Sequence, residues 1–352
     1  MTFSFDDLPR PQPDEIQNIS WSVFRNLRSC PKQVAFSNDD QLKRFGQSVY
    51  SLIGNLAHDF RESAGDRFPL GKIDAEQLWD EVAENEVRNA ITRSFAGSPP
   101  PEPSSWPNYS QTRQRSIDLA VVEPSDRDAT FDSGTPVKVE FEKWIAPRCI
   151  PVVARLDLLI TTDDVAKIGE LKAGKRDEEH VDQVLFYSAV LEAESGNWPS
   201  RLWIEYMSDK SKIPVRLDKE KASMLLSDAL EARQEFNADS KSGEPVAADP
   251  SPSNCKYCPY KPICSAYHLS GIVAESRYDE SVVVVIKTKG NSTSSVVDVV
   301  AGDRFKTDHV MIYPPELDEF LEVGSTYAVG NTIGSDGEVI ELKWNSLVWH
   351  LT

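Results

Sequence analysis

Three cysteines fall within ten residues, Cys255-x2-Cys258-x5-Cys264, in the run NCKYCPYKPICSAYH. A buried structural cysteine needs no neighbours, so thiols this close, interleaved with proline and lysine, point to a metal-holding cluster. Three ligands want a fourth, and two residues compete for the place. One is Cys30 in RSCPK, followed by proline as Cys258 is, and 255 − 30 = 225 positions upstream. The other is His268, in the zinc-compatible spacing Cys264-x3-His268. Four thiolates suit an iron–sulfur cluster or tetrahedral zinc, and spacing alone leaves both open. Cys149, alone beside an apolar strand, reads as a small buried side chain.

A second constellation is acidic. In VARLDLLITTDDVAKIGELKAGK two strand-like runs present Asp157 and then Glu170-Leu171-Lys172. Strand periodicity puts Glu170 and Lys172 on one face and turns Leu171 to the core. Carboxylates from adjacent strands can hold Mg²⁺ or Mn²⁺, and a nearby lysine can serve a hydrolytic water. That is apparatus for metal-assisted phosphodiester hydrolysis. The helix-like EEHVDQVLFYSAVLEAE follows, with Gln183 and Tyr187 four apart on one face, where they can steady the lysine or a phosphate. Glu341-Leu342-Lys343 repeats the same three letters without a preceding aspartate strand or a following helix, and reads as a solvated strand.

The elements that must position these residues are legible in part. ISWSVFRNLRSC reads as a short helix with Ser20 as N-cap and Pro31 beyond its end. Helical spacing runs from Gln41 to Arg61 and from Asp74 to Phe95, then a proline-rich loop from Ala96 to Pro107. IDLAVVE, VKVEFEKWI, IPVVARLDLLI and VAKIGELKAG read as strands, joined by turns such as Asp132-Ser133-Gly134. A helix from Glu178 to Glu194, the strand RLWIEYM, a helix from Lys219 to Phe236 and a loop from Ala238 to Asn254 complete this part. After Glu275, six short strands with little room for helix indicate a small separate barrel or sandwich.

The 352 residues carry 56 acidic and 38 basic side chains, a net charge of −18. No apolar run is long enough to span a membrane, and the acidic start is unlike a signal peptide, so a cytoplasmic location is expected. The charge opposes wholesale polyanion binding and leaves room for a local basic lane. Arg25, Arg28, Lys32, Lys256 and Lys261 near the cysteines, with Lys172, Lys175 and Arg176 after the acidic strand, are its candidates.

Together these residues resemble the PD-(D/E)XK nuclease superfamily in its RecB-like branch. Asp157, Glu170-Leu171-Lys172 and Gln183-x3-Tyr187 match its motifs, and Cys30 with Cys255, Cys258 and Cys264 is similar to the iron–sulfur staple of the AddB nuclease domain and of CRISPR-associated RecB-like exonucleases. The resemblance implies an α/β, restriction-endonuclease-like core with a mixed sheet flanked by helices over residues 1–274. Residues 275–352 are similar to an OB-fold barrel, with Tyr313, Tyr327, Trp344 and Trp349 as candidate stacking platforms or core. Ala154 departs from the family, which often has glycine three residues before the aspartate.

The family's upstream metal-binding histidine falls on His58, in Gly54-Asn55-Leu56-Ala57-His58; a rival register from Gly46 would put Tyr50 there. The implied activity is a metal-dependent deoxyribonuclease, a single-stranded DNA exonuclease, with Mg²⁺ or Mn²⁺ held by His58, Asp157, Glu170 and the carbonyl of Leu171. Lys172, Gln183 and Tyr187 would complete the catalytic set, and a [4Fe-4S] cluster on the four cysteines would be structural. Implied partners are DNA, single-stranded rather than duplex, and a helicase or other repair or replication protein. The alternatives are an inactive nucleic-acid scaffold of the same fold and a zinc-stabilised interaction module using His268.

Overall fold

A computed structural model describes residues 3–44, 46–65, 70–94, 98–121, 138–162, 165–207, 209, 211–272, 280–302, 309–335 and 339–351. Helices α1 (Trp21–Ser29) and α2 (Pro31–Ser37) come first, then α3 (Val49–Gly65), α4 (Lys72–Arg93) and α5 (Tyr109–Val121). Strands β1 (Lys138–Ile145), β2 (Ala154–Thr161) and β3 (Ala166–Lys172) lead to α6 (Glu179–Ser195), β4 (Arg201–Tyr206), β5 (Ser211–Val215) and α7 (Lys219–Ser242). These five strands form one sheet in sequence order, antiparallel except for the parallel pair β3–β4. The crossover between β3 and β4 is α6, as a parallel pair requires.

Apolar patterning explains the layering. All eight residues from Val184 to Leu191 of α6 are buried, because this helix lies between the sheet and α1 and α7 in one core. A second core joins α3, α4 and α5 around Phe60, Trp79, Trp106 and Ile117. Leu119 of α5 reaches Leu171 and Met207 from that side, so the sheet has helices on both faces.

Of IDLAVVE, expected as a strand, Ile117 to Val121 form the end of α5, and Val122 and Glu123 lie outside the described residues. The segment's β-branched residues suggest a strand, but burial of Ile117 and Ala120 against neighbouring helices, and of Leu119 against Leu171 and Met207, overrides that weak preference. Helix α7 also runs six residues past Phe236, into the stretch expected as loop, and α3 begins only at Val49. The turn expected at 132–134 lies outside the described residues.

The short helices α8 (Pro252–Lys256) and α9 (Ser265–Ser270) carry the cysteine segment. Six strands follow: β6 (Glu280–Asn291), β7 (Ser294–Gly302), β8 (His309–Ile312), β9 (Thr326–Ser335), β10 (Val339–Glu341) and β11 (Leu347–His350). Their order is β10-β8-β7-β6-β9-β11, and β10 also pairs with β9, so five strands join in a ring with β8–β10 as its parallel pair. Tyr313, Tyr327 and Trp349 are core here, each 3% exposed or less, and do not stack outward.

The ring is packed against the cysteine segment. Val283, Ala301, Ala328, Leu347 and Trp349 share a core with Phe36, Tyr260 and Ile263, and Cys258 and Cys264 pack on its edge. A Cβ at Gly330 of β9 would come within 2.5 Å of Pro262, so the close approach depends on that glycine. Among the described residues, no helix is long and apolar enough to cross a membrane.

Candidate active site

The ladder between β2 and β3 ends at the pair Leu158–Gly169. Beyond it the Asp157 carboxylate takes over the backbone's role, with Oδ2 accepting the Leu171 N–H at 2.6 Å. The strand pairing thereby fixes one aspartate oxygen and leaves Oδ1 for the site. Gly169 allows Trp203 of β4 to pack against β3, since a Cβ there would lie 2.5 Å from the indole.

Lys172 Nζ donates to Glu170 Oε1 at 2.7 Å and to Gln183 Oε1 at 2.8 Å. Gln183 Nε2 in turn donates to the Tyr187 hydroxyl at 2.8 Å, as the four-residue spacing on α6 permits. These four side chains make one polar chain from strand to helix. Burial, with the charges of Glu170 and Asp157, keeps the Tyr187 hydroxyl well above the ordinary phenol range, so it stays protonated.

His58 projects from α3 to the same place, its Nδ1 3.5 Å from Asp157 Oδ1. Its closest acidic neighbour is a residue the sequence reading missed. Glu142 of β1 lies with Oε1 2.8 Å from His58 Nδ1 and is 4% exposed. The pairs Phe141–Leu158 and Lys143–Leu156 put Glu142 opposite Asp157, yet it drops out of the ladder with φ of 50°. That left-handed backbone is costly for a residue with a Cβ, and strain of this kind gathers at working sites. Arg155 closes the far side, its Nε 3.0 Å from Glu142 Oε2 and its Nη2 2.8 Å from Glu62 Oε2.

Ligand atoms of His58, Glu142 and Asp157 all lie within 4.8 Å of one another, and this group can hold a metal ion. This group joins Glu142 to the expected His58 and Asp157 and does not include Glu170. Glu170 remains beside it. Its Oε2 is buried without a hydrogen-bond partner, an orphaned oxygen of the kind a cation satisfies.

The electrostatics agree. Asp157 above all, with Glu142, raises His58 to about 9, while burial followed by Asp157 raises Glu170 to about 8. Burial chiefly raises Glu142 as well. Without a cation the cluster retains protons to offset its negative field; the carboxylate-rich donor set suits Mg²⁺ or Mn²⁺.

A model of the PD-(D/E)XK nuclease superfamily matches residues 18–265. The chain belongs to that superfamily. The chain is also similar to a solved structure from Eubacterium rectale described as a "Putative exonuclease", with 9% identity, 74% of this chain and 90% of that one covered, and a TM-score of 0.43. No curated protein matches.

Cys30, Cys255, Cys258 and Cys264 line one pocket with Lys261 and Tyr267. Asn254 Nδ2 donates to Ser29 O at 2.9 Å and ties the end of α1 to the cysteine segment there. Burial is the main cause that pushes the Cys258 thiol up to about 12 and raises Cys255 and Cys264 too. Among the described residues, no three cysteines fall within 4.8 Å of one another. His268 lies apart from this pocket's lining, its Nε2 2.9 Å from Pro262 O and its ring stacked on Phe5. Cys149, expected to be buried, is exposed.

Four members of the expected basic lane are buried or face a carboxylate. Lys261 is buried, Lys172 faces Glu170, Arg176 pairs with Asp209, and Arg25 approaches Glu179.

Proposed function

We propose that this nuclease is a divalent-metal-dependent deoxyribonuclease that cleaves single strands from an end. The observation that carries the reading is the meeting of His58, Glu142, Asp157 and the orphaned Glu170 oxygen beside Lys172. His58, Glu142 and Asp157 would hold the cation, with Glu170 and the Leu171 carbonyl as further donors. When bound, Mg²⁺ or Mn²⁺ supplies charge stabilisation at the phosphate and a more acidic water. Lys172, held in place by Glu170 and Gln183, orients the attacking water and offsets charge on the phosphate. Tyr187 keeps Gln183 in position. Arg155 steers the second Glu142 oxygen away from His58.

The four cysteines are read as ligands of a structural [4Fe-4S] cluster. Mononuclear zinc with Zn–S near 2.3 Å would hold thiolates roughly 3.8 Å apart, whereas in a cluster each thiolate binds a different iron and the sulfurs stand wider. His268, directed at Pro262, does not favour the zinc alternative. The C-terminal ring, with its parallel closing pair, supports an OB-type barrel for residues 275–352, alongside a nuclease domain over residues 1–274.

Incubation of holo-protein and Mn²⁺ with single strands labelled at the 5′ or the 3′ end tests the reading. Short products from one end, abolished in Lys172→Ala, are expected. Intact strands, or cleavage indifferent to Lys172→Ala, would refute it.

A further inference from the structure

An open groove of about 1190 Å³ lies where the nuclease core, the cysteine segment and the C-terminal ring meet. It exceeds the ~300 to 1,000 Å³ usual for small-molecule sites. Its walls come from the approach to and first residues of α3 (Gly46 to Ser51), Asn108 with Thr112 at the head of α5, Ala173 to Lys175, Tyr257, and Asn331 with Lys343 to Asn345. Ala173 directly follows Lys172, so the groove opens beside the candidate catalytic strand.

Its chemistry is unlike the rest of the molecule. The chain has 56 acidic residues among 352, yet among the described residues no aspartate or glutamate lines this groove, while Lys175 and Lys343 do. Tyr50 is 68% exposed and Tyr257 79% exposed, and half-buried Trp344 lies on the ring's side of the same space. Both tyrosines are exposed rings on the groove wall, Tyr257 with the Lys256 ammonium 5.5 Å from its ring centroid, and aromatic rings beside basic side chains form stacking platforms for bases. Both helices present their N-terminal ends here, where backbone N–H groups and the helix dipole favour anions. The walls are pinned together: Ser94 Oγ donates to Trp344 O at 2.6 Å and Asn345 Nδ2 to Gln47 O at 2.8 Å.

We propose that this groove holds a single strand of nucleic acid on its way to Lys172, with bases stacked on Tyr50 and Tyr257 and the backbone beside Lys175 and Lys343. The proposal rests on the nuclease reading above and adds the substrate's path, including the ring as one wall. Stacking on exposed rings is available only to unpaired bases, and two lysines in a chain of charge −18 are too few to capture a duplex.

The test uses full-length holo-protein and a fluorescent oligothymidylate. Binding is followed by anisotropy in EDTA, so that it is independent of hydrolysis, and cleavage is followed separately with Mn²⁺. Tyr50→Ala and Tyr257→Ala should each weaken binding about tenfold and raise KM more than they lower kcat. Tyr50→Phe and Tyr257→Phe should restore both, since the ring and not the hydroxyl stacks. Alanine variants that unfold at the wild-type temperature yet bind and cleave single strands like the wild type overturn the groove and leave the nuclease reading standing. Wild-type protein that binds through both tyrosines but never cleaves sinks the catalytic reading and supports the groove.

Discussion

Glu142 Oε1 and His58 Nδ1 stand 2.8 Å apart, joining the left-handed point of β1 to helix α3. The contact brings a third buried carboxylate to Asp157 and Glu170, at a cost in desolvation that Arg155, Lys172 and retained protons offset in part. A divalent cation at the same place would relieve it.

Replacing that carboxylate should therefore show in metal affinity before it shows in folding. Glu142→Gln keeps the volume and removes the charge. Calorimetric titration with Mn²⁺ should report a 10- to 100-fold weaker site. An unchanged affinity would mean that Glu142 only restrains His58.

Lys172 and Gln183 should differ in degree. Lys172→Ala should lower kcat by about 10²- to 10⁴-fold, the usual worth of a positioned catalytic group. Gln183→Ala leaves the ammonium on Glu170 but loosens it, and about a tenfold loss in kcat with little change in KM is expected. Steady-state rates on a labelled strand decide between them.

The pH dependence of stability has a definite sign. His58 is held near 9 against 6.5 in the unfolded chain, so its contribution is complete below about pH 6.5 and is lost as pH rises through about 9. Glu170, held near 8 against about 4.5, keeps its proton in the fold after the unfolded chain has released it, and this too turns against the fold as pH climbs from about 4.5 to 8. Metal-free protein should lose Tm from pH 6 to 9, and Mn²⁺ should raise Tm more at pH 8 than at pH 6. Scanning fluorimetry across that range checks both, and Glu170→Gln should flatten the lower part of the curve.

The cysteine pocket predicts a separate phenotype. The proposed cluster would close a loop of 225 residues, a constraint of about 5 kcal/mol on the unfolded chain. Cys30→Ala and Cys258→Ala should lose the brown colour and visible absorbance of holo-protein together with a large share of Tm. Cys149→Ser, at an exposed position, should change neither.

Much of this arrangement could be read from the letters because it follows short-range periodicity. Asp157 and Glu170 sit on adjacent strands, Lys172 two residues on from Glu170, and Gln183 and Tyr187 one helical turn apart. Glu142 escaped because KVEFEKWI alternates like a solvated strand, and the φ of 50° that excuses it from the ladder leaves no compositional trace. A charged residue opposite a known site residue in a reconstructed register was the one available signal. Whether Tyr313, Tyr327 and Trp349 face the core or solvent stays open in the sequence, because a barrel strand shows the same alternation whichever face is inside. Tyr50 and Tyr257, by contrast, become notable only when α3 and the cysteine segment are brought together.

The central claim is that these side chains grip a divalent ion beside Lys172, and Mn²⁺ electron paramagnetic resonance on holo-protein tests it most directly. One or two bound Mn²⁺ per chain in the wild type, lost in Asp157→Asn, is the predicted result. Bound Mn²⁺ that persists undiminished in Asp157→Asn, or none in the wild type, would contradict it.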